Sequence, residues 1–148
     1  MGTAQSLIRD RLEKGQGVVT IGRDASAFDA ARVMNDHHIG ALVVTDDQGG
    51  VAGIFTERDL LKRVVAGGRR PEKTIVGDVM TRDVIVCTPE THTDEVRQIM
   101  RQKRIRHMPV VGHDGRLIGM ISIGDLNVAE ARVLTETISY LEQYMTRM

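Results

Sequence analysis

An internal duplication constrains this chain of 148 residues more than any other feature. Residues 18–66 align with residues 84–132 at a constant offset of 66, without a gap. At this offset, segments 53–59 and 119–125 both contain glycine, two apolar residues, a hydroxyl residue, two variable residues and an aspartate. A repeat of this length predicts two similar supersecondary units that bury a face against each other, with a pseudo-symmetric cleft between them as a natural ligand site.

Both copies contain the same order of predicted elements: strand, helix, strand, strand and helix. The predicted strands are 18–21, 41–45, 51–55, one from Val84, 108–111 and 117–121, and the predicted helices are 27–34 after the cap candidate Ser26, 57–66, 93–102 and one from Ile123. The fold class is therefore α/β (α+β), with two β-α-β-β-α repeats packed pseudo-symmetrically. The second copy has Thr88-Pro89 after its first strand where the first copy has Gly22-Arg23, and it has Pro109 where the first has Val43. Both departures predict that the first repeat holds its strand differently.

Short helices are predicted on both sides of the duplication. Leu7, Ile8 and Leu12 have helical spacing before Gly15 and Gly17, which are typical helix ends. A heptad-like spacing follows the second copy, at Ala131, Leu134, Ile138, Leu141, Met145 and Met148. Two heptads are too short to be stable alone, so this helix is expected to pack on its own body or on a second subunit. The predicted divisions are 1–17, 18–66, a linker at 67–83, 84–132 and a C-terminal amphipathic helix at 133–148.

Composition and motifs argue against several classes of function. Twenty basic and twenty acidic residues cancel, whereas general nucleic-acid binders carry a basic excess, so the basic stretch from Arg97 to Arg106 is interpreted as a solvated face. Cys87 is the only cysteine, which excludes an intrachain disulfide and favours a reducing compartment. No apolar run is long enough to cross a bilayer, and a cytoplasmic location is expected. The five histidines form no metal-ligand pattern, and no nucleotide-loop or serine-elbow motif occurs, so neither catalysis, a metal nor a required cofactor is expected.

The residues that carry the duplication resemble a tandem pair of CBS domains, the Bateman module. The resemblance covers residues 18–132 and is strongest at 53–60, 78–81, 104–110 and 117–126. These segments are similar to those of stand-alone two-CBS proteins. The resemblance implies a regulatory protein rather than a catalyst, adenosine-nucleotide binding between the repeats, and a homodimer.

An adenosine ligand needs a flat apolar slot for the base, a carboxylate for the ribose hydroxyls, and donors or cations for phosphate. Asp59 and Asp125 are candidates for the ribose, and Thr56 and Ser122, at helix starts, for phosphate. The same Thr-x-x-Asp and Ser-x-x-Asp patterns are also ordinary capping boxes. The occurrence of two copies within a duplication favours ligand binding.

Each cleft of this family is built from both repeats, which implies two unequal sites here. The first is predicted to combine Thr56, Arg58, Asp59, Met80, Thr81, Ile85, Ile105, Arg106, His107 and Met108. The second is predicted to combine Val18, Val19, Ile39, Gly40, Ala41 and Leu42 with Ser122, Ile123, Gly124 and Asp125, where no cation is evident. The hypothesis is that the first cleft prefers a phosphate or pyrophosphate and that the second is weaker or empty.

Two functions follow from this sequence. The preferred one is a module that senses energy or redox state by binding AMP, ADP, ATP or NAD(H) and transmits that state to an unidentified partner protein. S-adenosylmethionine remains a candidate ligand, and only the basic side chains predicted near a phosphate argue against it. The alternative is an interaction scaffold with a vestigial cleft, whose C-terminal helix binds the partner.

Overall fold

The computed structural model describes residues 2–13 and 17–146. Gly15, expected at the end of the first helix, and Met148, the last residue of the heptad-like pattern, lie outside these residues. The elements in chain order are α1 (Ala4–Glu13), β1 (Thr20–Gly22), α2 (Ala27–His37), β2 (Ala41–Thr45), β3 (Val51–Thr56), α3 (Glu57–Asp59), a π-helical segment (Leu60–Val65), a 3-10 turn (Pro71–Lys73), α4 (Val76–Val79), α5 (Thr93–Lys103), β4 (His107–Val111), β5 (Leu117–Ser122) and α6 (Ile123–Thr146).

The first repeat forms a three-stranded sheet in the order β1, β2, β3, with β1 parallel and β3 antiparallel to β2. β2 is buried from Ala41 to Val44 because it is the central strand and consists almost entirely of apolar residues. α2 begins as predicted, since the hydroxyl of Ser26 accepts a hydrogen bond of 3.0 Å from the backbone N–H of Asp29. The mixed helix and strand fold expected from the sequence is confirmed.

The second repeat differs from the first at its first strand. The strand predicted from Val84 is wrong, because only Cys87 pairs there, in an isolated parallel bridge to Val110. The next bond of a parallel ladder would need a backbone N–H at Pro109 to donate to the carbonyl of Ile85, and proline has none. The second sheet therefore contains only the antiparallel hairpin of β4 and β5.

Each hydrophobic core is completed by a segment from outside its own copy. α4 lies against the first repeat, where Val76 donates a backbone hydrogen bond of 2.8 Å to the carbonyl of Ala25. α1 lies against the second repeat, where Ala4 donates one of 2.8 Å to the carbonyl of Thr91, and Ala4 and Ile8 join the second core. The N-terminal helix thus crosses to the repeat that is farther from it in sequence.

The last helix is longer than either predicted piece. α6 continues from Ile123 to Thr146 without a break, so the final helix of the second repeat and the expected C-terminal helix are one element. Residues 130–146 are all exposed. Up to residue 146, the end of this helix therefore does not pack on its own body, which was one of the two arrangements expected.

Candidate functional site

A cavity of about 680 Å³ lies where α1, the first repeat and the second repeat meet. Its lining is Ile8, Arg11, Leu12, Gly17, Val18, Val19, His37, His38, Ile39, Gly40, Ala41, His107, Ile118, Gly119, Met120, Ser122 and Asp125. The cavity brings together seven of the ten residues predicted for the second cleft. The other three lie elsewhere: Leu42 is buried in the first core, Ile123 packs against the second core, and Gly124 is exposed. The cavity also includes His107, which the sequence analysis assigned to the first cleft, because His107 on β4 pairs with Ser122 on β5.

Asp125 is the carboxylate of this cavity. It lies in the first turn of α6, where one carboxylate oxygen accepts a hydrogen bond of 2.8 Å from the backbone N–H of Ser122. The hydroxyl of Ser122 accepts one of 3.1 Å from the backbone N–H of Asp125 in return. This is a reciprocal capping box, so the structural role weighed in the sequence analysis is present. The other oxygen of Asp125 pairs with Arg11, and both residues line the cavity. The capping box therefore occupies only one side of the carboxylate.

The expectation that the second cleft has no cation is wrong, because Arg11 lines the cavity. Its guanidinium pairs with Asp125 and donates a second hydrogen bond of 3.3 Å to the carbonyl of Met120. Arg11 reaches this position because α1 packs closely on β5, where a Cβ at Gly119 would lie 2.9 Å from Cδ1 of Ile8. Arg11 follows Ile8 by three residues, which places both on the same side of the helix. That spacing is the only signal of its position in the sequence.

The equivalent carboxylate of the first repeat, Asp59, is in a different environment. It is 6% exposed and accepts hydrogen bonds from the backbone N–H of Thr56 at 3.0 Å, the hydroxyl of Thr56 at 3.2 Å and the hydroxyl of Thr81 at 3.0 Å. Arg63 approaches it at 3.7 Å. A Cβ at Gly53 would lie 2.5 Å from the sulfur of Met80 and 2.9 Å from the carbonyl oxygen of Thr81. The segment around Thr81 is therefore held directly over β3.

The remaining residues predicted for the first cleft are divided between the two cores and the surface. Met80 belongs to the core of the first repeat. Met108 is fully buried in the core of the second repeat, and Ile85 and Ile105 pack against it. The side chains of Arg58 and Arg106 are exposed. The structure therefore brings Thr56, Asp59, Met80 and Thr81 together and places the apolar residues of the second copy in another core.

Burial lowers the pKa of His107 from its ordinary value of 6.5, and the positive charge of Arg106 lowers it further. The carboxylates of Glu57 and Asp125 oppose this shift. The neutral imidazole is therefore favoured in the cavity, where it can either donate or accept a hydrogen bond.

Two other features limit the chemistry of the described chain. Cys87 is buried, and this burial, together with the charge of Glu95, raises the pKa of its thiol to about 11. Within residues 2–13 and 17–146, no three His, Cys, Asp or Glu side chains are grouped so that they could hold a metal ion.

None of the helices in this part of the chain has the length and apolar character needed to span a membrane.

Comparison with known proteins reveals extensive similarity. The family model described as CBS domain matches twice, at residues 15–66 and 76–131. The mitochondrial CBS domain-containing protein CBSX3 of Arabidopsis thaliana is 41% identical over 126 residues, which cover 82% of this chain and 61% of that protein. This chain thus spans less than two thirds of the first curated relatives.

Solved structures share the same fold. The crystal structure of the CBS-domain protein ATU1752 from Agrobacterium tumefaciens is 44% identical, with a TM-score of 0.77, and the match covers 86% of this chain and 98% of that one. The CBS domain pair of MJ0100, crystallised with 5-methylthioadenosine and S-adenosyl-L-methionine, is 23% identical with a TM-score of 0.77, over 88% of this chain and 97% of that one.

Proposed function

We propose, because this chain belongs to the CBS-domain family, that it is a regulatory module that binds an adenosine compound in the cavity lined by Asp125. The observation that carries the proposal is the position of this carboxylate, at the start of a helix and beside an apolar cavity of about 680 Å³. Pockets for small ligands usually have volumes of about 300–1,000 Å³ and combine apolar surface with a few polar groups. The two adenosine compounds bound by the MJ0100 pair support the same ligand class.

The lining supplies each group that an adenosine ligand needs. Asp125 can accept hydrogen bonds from the ribose hydroxyls. Ser122, beside the first backbone N–H groups of α6, can bind phosphate at the positive end of the helix dipole. Val18, Val19 and Ile39 offer apolar surface to the base. AMP, ADP, ATP and NAD(H) all contain these three parts, so they are the candidate ligands.

This proposal assigns the main site to the second cleft instead of the first. Asp59 already accepts hydrogen bonds from Thr56 and Thr81, and a ligand would have to compete with both for its oxygens. Asp125 accepts from Ser122 and pairs with the half-exposed Arg11, and this ion pair costs less to weaken than the hydrogen bonds of the buried Asp59. We therefore expect the Asp125 site to bind more tightly than the Asp59 site.

Regulation requires that the ligand bind one arrangement of the protein more tightly than another, since equal affinity shifts nothing. One such arrangement is a dimer, in which the exposed end of α6 packs against a second copy of this chain. Leu134, Ile138 and Leu141 have the alternating spacing of a coiled-coil seam, and each is more than half exposed. We propose a homodimer that covers this seam, with a regulated partner protein still to be identified.

Calorimetric titration tests the ligand. The full chain, stripped of bound nucleotide, is titrated with AMP, ATP and NADH, in parallel with the Asp125→Ala and Asp59→Ala variants. We expect micromolar binding of at least one compound, weakened at least about tenfold in Asp125→Ala and much less in Asp59→Ala, since one hydrogen bond to a charged group contributes about 1.5–3 kcal/mol. If none of the compounds binds, the scaffold function is favoured, with the exposed face of α6 as its binding surface.

Light scattering coupled to size exclusion tests the dimer. We expect the mass of two chains for the parent protein and a shift toward one chain for Ile138→Glu, because a buried seam does not tolerate an unpaired charge. Gln143→Glu adds the same charge at an exposed position of the same helix that is not in the seam, and we expect the dimer to persist. A dimer that survives Ile138→Glu would place the interface elsewhere.

A further inference from the structure

We infer that Arg11 of the N-terminal helix makes the Asp125 cavity selective for adenosine compounds that carry a phosphate. The inference rests on the proposed function, and it adds a residue from outside both repeats to the site. Arg11 is the single arginine in the lining, and the lining contains no lysine among the residues that the structure describes.

The contacts of Arg11 hold its guanidinium inside the cavity while leaving part of it free. One amino group pairs with Asp125, and another donates a hydrogen bond of 3.3 Å to the carbonyl of Met120. The side chain is still 46% exposed. Because a guanidinium has five N–H donors, several remain for a ligand that enters beside Asp125.

The N-terminal helix positions this cation before any ligand arrives. Ile8, one turn before Arg11, is buried in the core of the second repeat. The start of the helix is tied to the same repeat by backbone hydrogen bonds from Ala4 to Thr91 and from Gln5 to Pro89, of 2.8 and 3.0 Å. A cation that is held in place loses less conformational entropy when it binds an anion than one on a mobile segment.

Selectivity follows from the ion pair between Arg11 and Asp125. A neutral adenosine that takes the oxygens of Asp125 must weaken this pair and offers Arg11 no anion in exchange. An adenosine phosphate weakens the same pair but supplies a new anion, and a guanidinium binds phosphate oxygens through two parallel hydrogen bonds. The difference between the two affinities, rather than either affinity alone, is therefore the property that depends on Arg11.

The test is calorimetric titration of the full chain with AMP and with adenosine, for the parent protein and for Arg11→Met, Arg11→Lys and Arg9→Met. Arg9→Met is the matched control, because Arg9 is exposed on the same helix and is absent from the cavity lining. We expect Arg11→Met to weaken AMP binding at least about tenfold, the effect of one charge-assisted hydrogen bond, while adenosine binds within about twofold of its original affinity or more tightly. Arg11→Lys should retain part of the preference for AMP, and Arg9→Met all of it.

Three results would overturn the inference while leaving the proposed function in place. An equal loss for AMP and adenosine in Arg11→Met would show that Arg11 only supports the shape of the cavity. Unchanged binding of both would show that phosphate is bound by other groups. If the parent protein binds adenosine as tightly as AMP, the site does not select phosphate, although the proposed function stands. Failure of both compounds to bind the parent protein would also overturn the inference, and it would refute the proposed function as well if ATP and NADH do not bind either.

Discussion

The two aspartates of the repeated motif should differ in their effect on stability. Asp59 and Asp125 occupy equivalent positions in sequence, and each closes a capping box with the hydroxyl residue three positions before it. Asp59 also accepts a hydrogen bond from Thr81, twenty-two residues away, and it is almost fully buried. We expect Asp59→Ala to destabilise the fold clearly more than Asp125→Ala.

The size of the difference follows from the partners that each substitution leaves unpaired. Asp59→Ala removes the acceptor of the Thr56 amide and of the Thr81 hydroxyl, and hydrogen bonds to charged groups contribute about 1.5–3 kcal/mol each. Because both partners are only partly buried, we take the lower end, about 3 kcal/mol in total. Asp125→Ala removes one such bond, about 1.5 kcal/mol at the same lower end, and an ion pair to a half-exposed arginine of about 0–1 kcal/mol, so it should cost about 1.5–2.5 kcal/mol.

Urea unfolding followed by circular dichroism measures both values. The free energy of unfolding should fall by about 3 kcal/mol for Asp59→Ala and by about 1.5–2.5 kcal/mol for Asp125→Ala. Asp47→Ala, which removes an exposed carboxylate in the first hairpin turn, should change it by less than about 0.5 kcal/mol. Equal losses for Asp59→Ala and Asp125→Ala, or a loss below about 1 kcal/mol for Asp59→Ala, would refute the structural role assigned to Asp59.

Three further predictions concern packing and titration. Gly53→Ala should destabilise the fold by about 1–3 kcal/mol in urea unfolding, because its Cβ would meet a backbone carbonyl oxygen at 2.9 Å. Gly22→Ala, whose Cβ would meet nothing within 4 Å, should cost less than about 0.5 kcal/mol, and equal losses would contradict this. The contribution of His107 to stability should be complete above pH 6.5, the ordinary pKa of histidine. It should be lost as the pH falls through the lower pKa of the folded His107, since the unfolded chain binds the proton more tightly. His107→Gln should remove this part of the pH dependence of the free energy of unfolding, whereas His113→Gln should leave it. Iodoacetamide at pH 8 should label Cys87 rapidly only in urea, because the folded thiol is buried and its pKa is about 11. Rapid labelling of the folded protein would contradict this and would show that the region around Cys87 opens to solvent.

The elements inside each repeat were largely predictable from the sequence. The two hairpins, α2 and α5 lie where apolar spacing places them, and α2 also begins at its cap residue Ser26, because these signals act over a few neighbouring residues. The shortened first strand of the second repeat also has a local cause, in the missing N–H of Pro109. The sequence predicted the altered strand in the first repeat, whereas the structure has it in the second, because the effect of the proline appears only where the neighbouring strand needs its donor.

The repeated motif offered the capping box as an alternative role at both positions, and both boxes are present, but the motif did not indicate the different surroundings of the two carboxylates. Thr81 lies over Asp59 because α4 and the residues after it pack on the first repeat, while no protein hydroxyl takes the equivalent place at Asp125 among the residues described. The two sites therefore look alike in sequence and differ in the structure.

What the sequence alone determined is the duplication, its order of strands and helices, and the family to which the chain belongs, since all three are carried by residue types at short or constant spacing. What only the tertiary structure decided is the composition of the cavity, above all the pairing of Arg11 with Asp125 across 114 residues of sequence. Such a contact depends on which repeat the N-terminal helix packs against. That choice is a property of the assembled cores, and no local pattern encodes it.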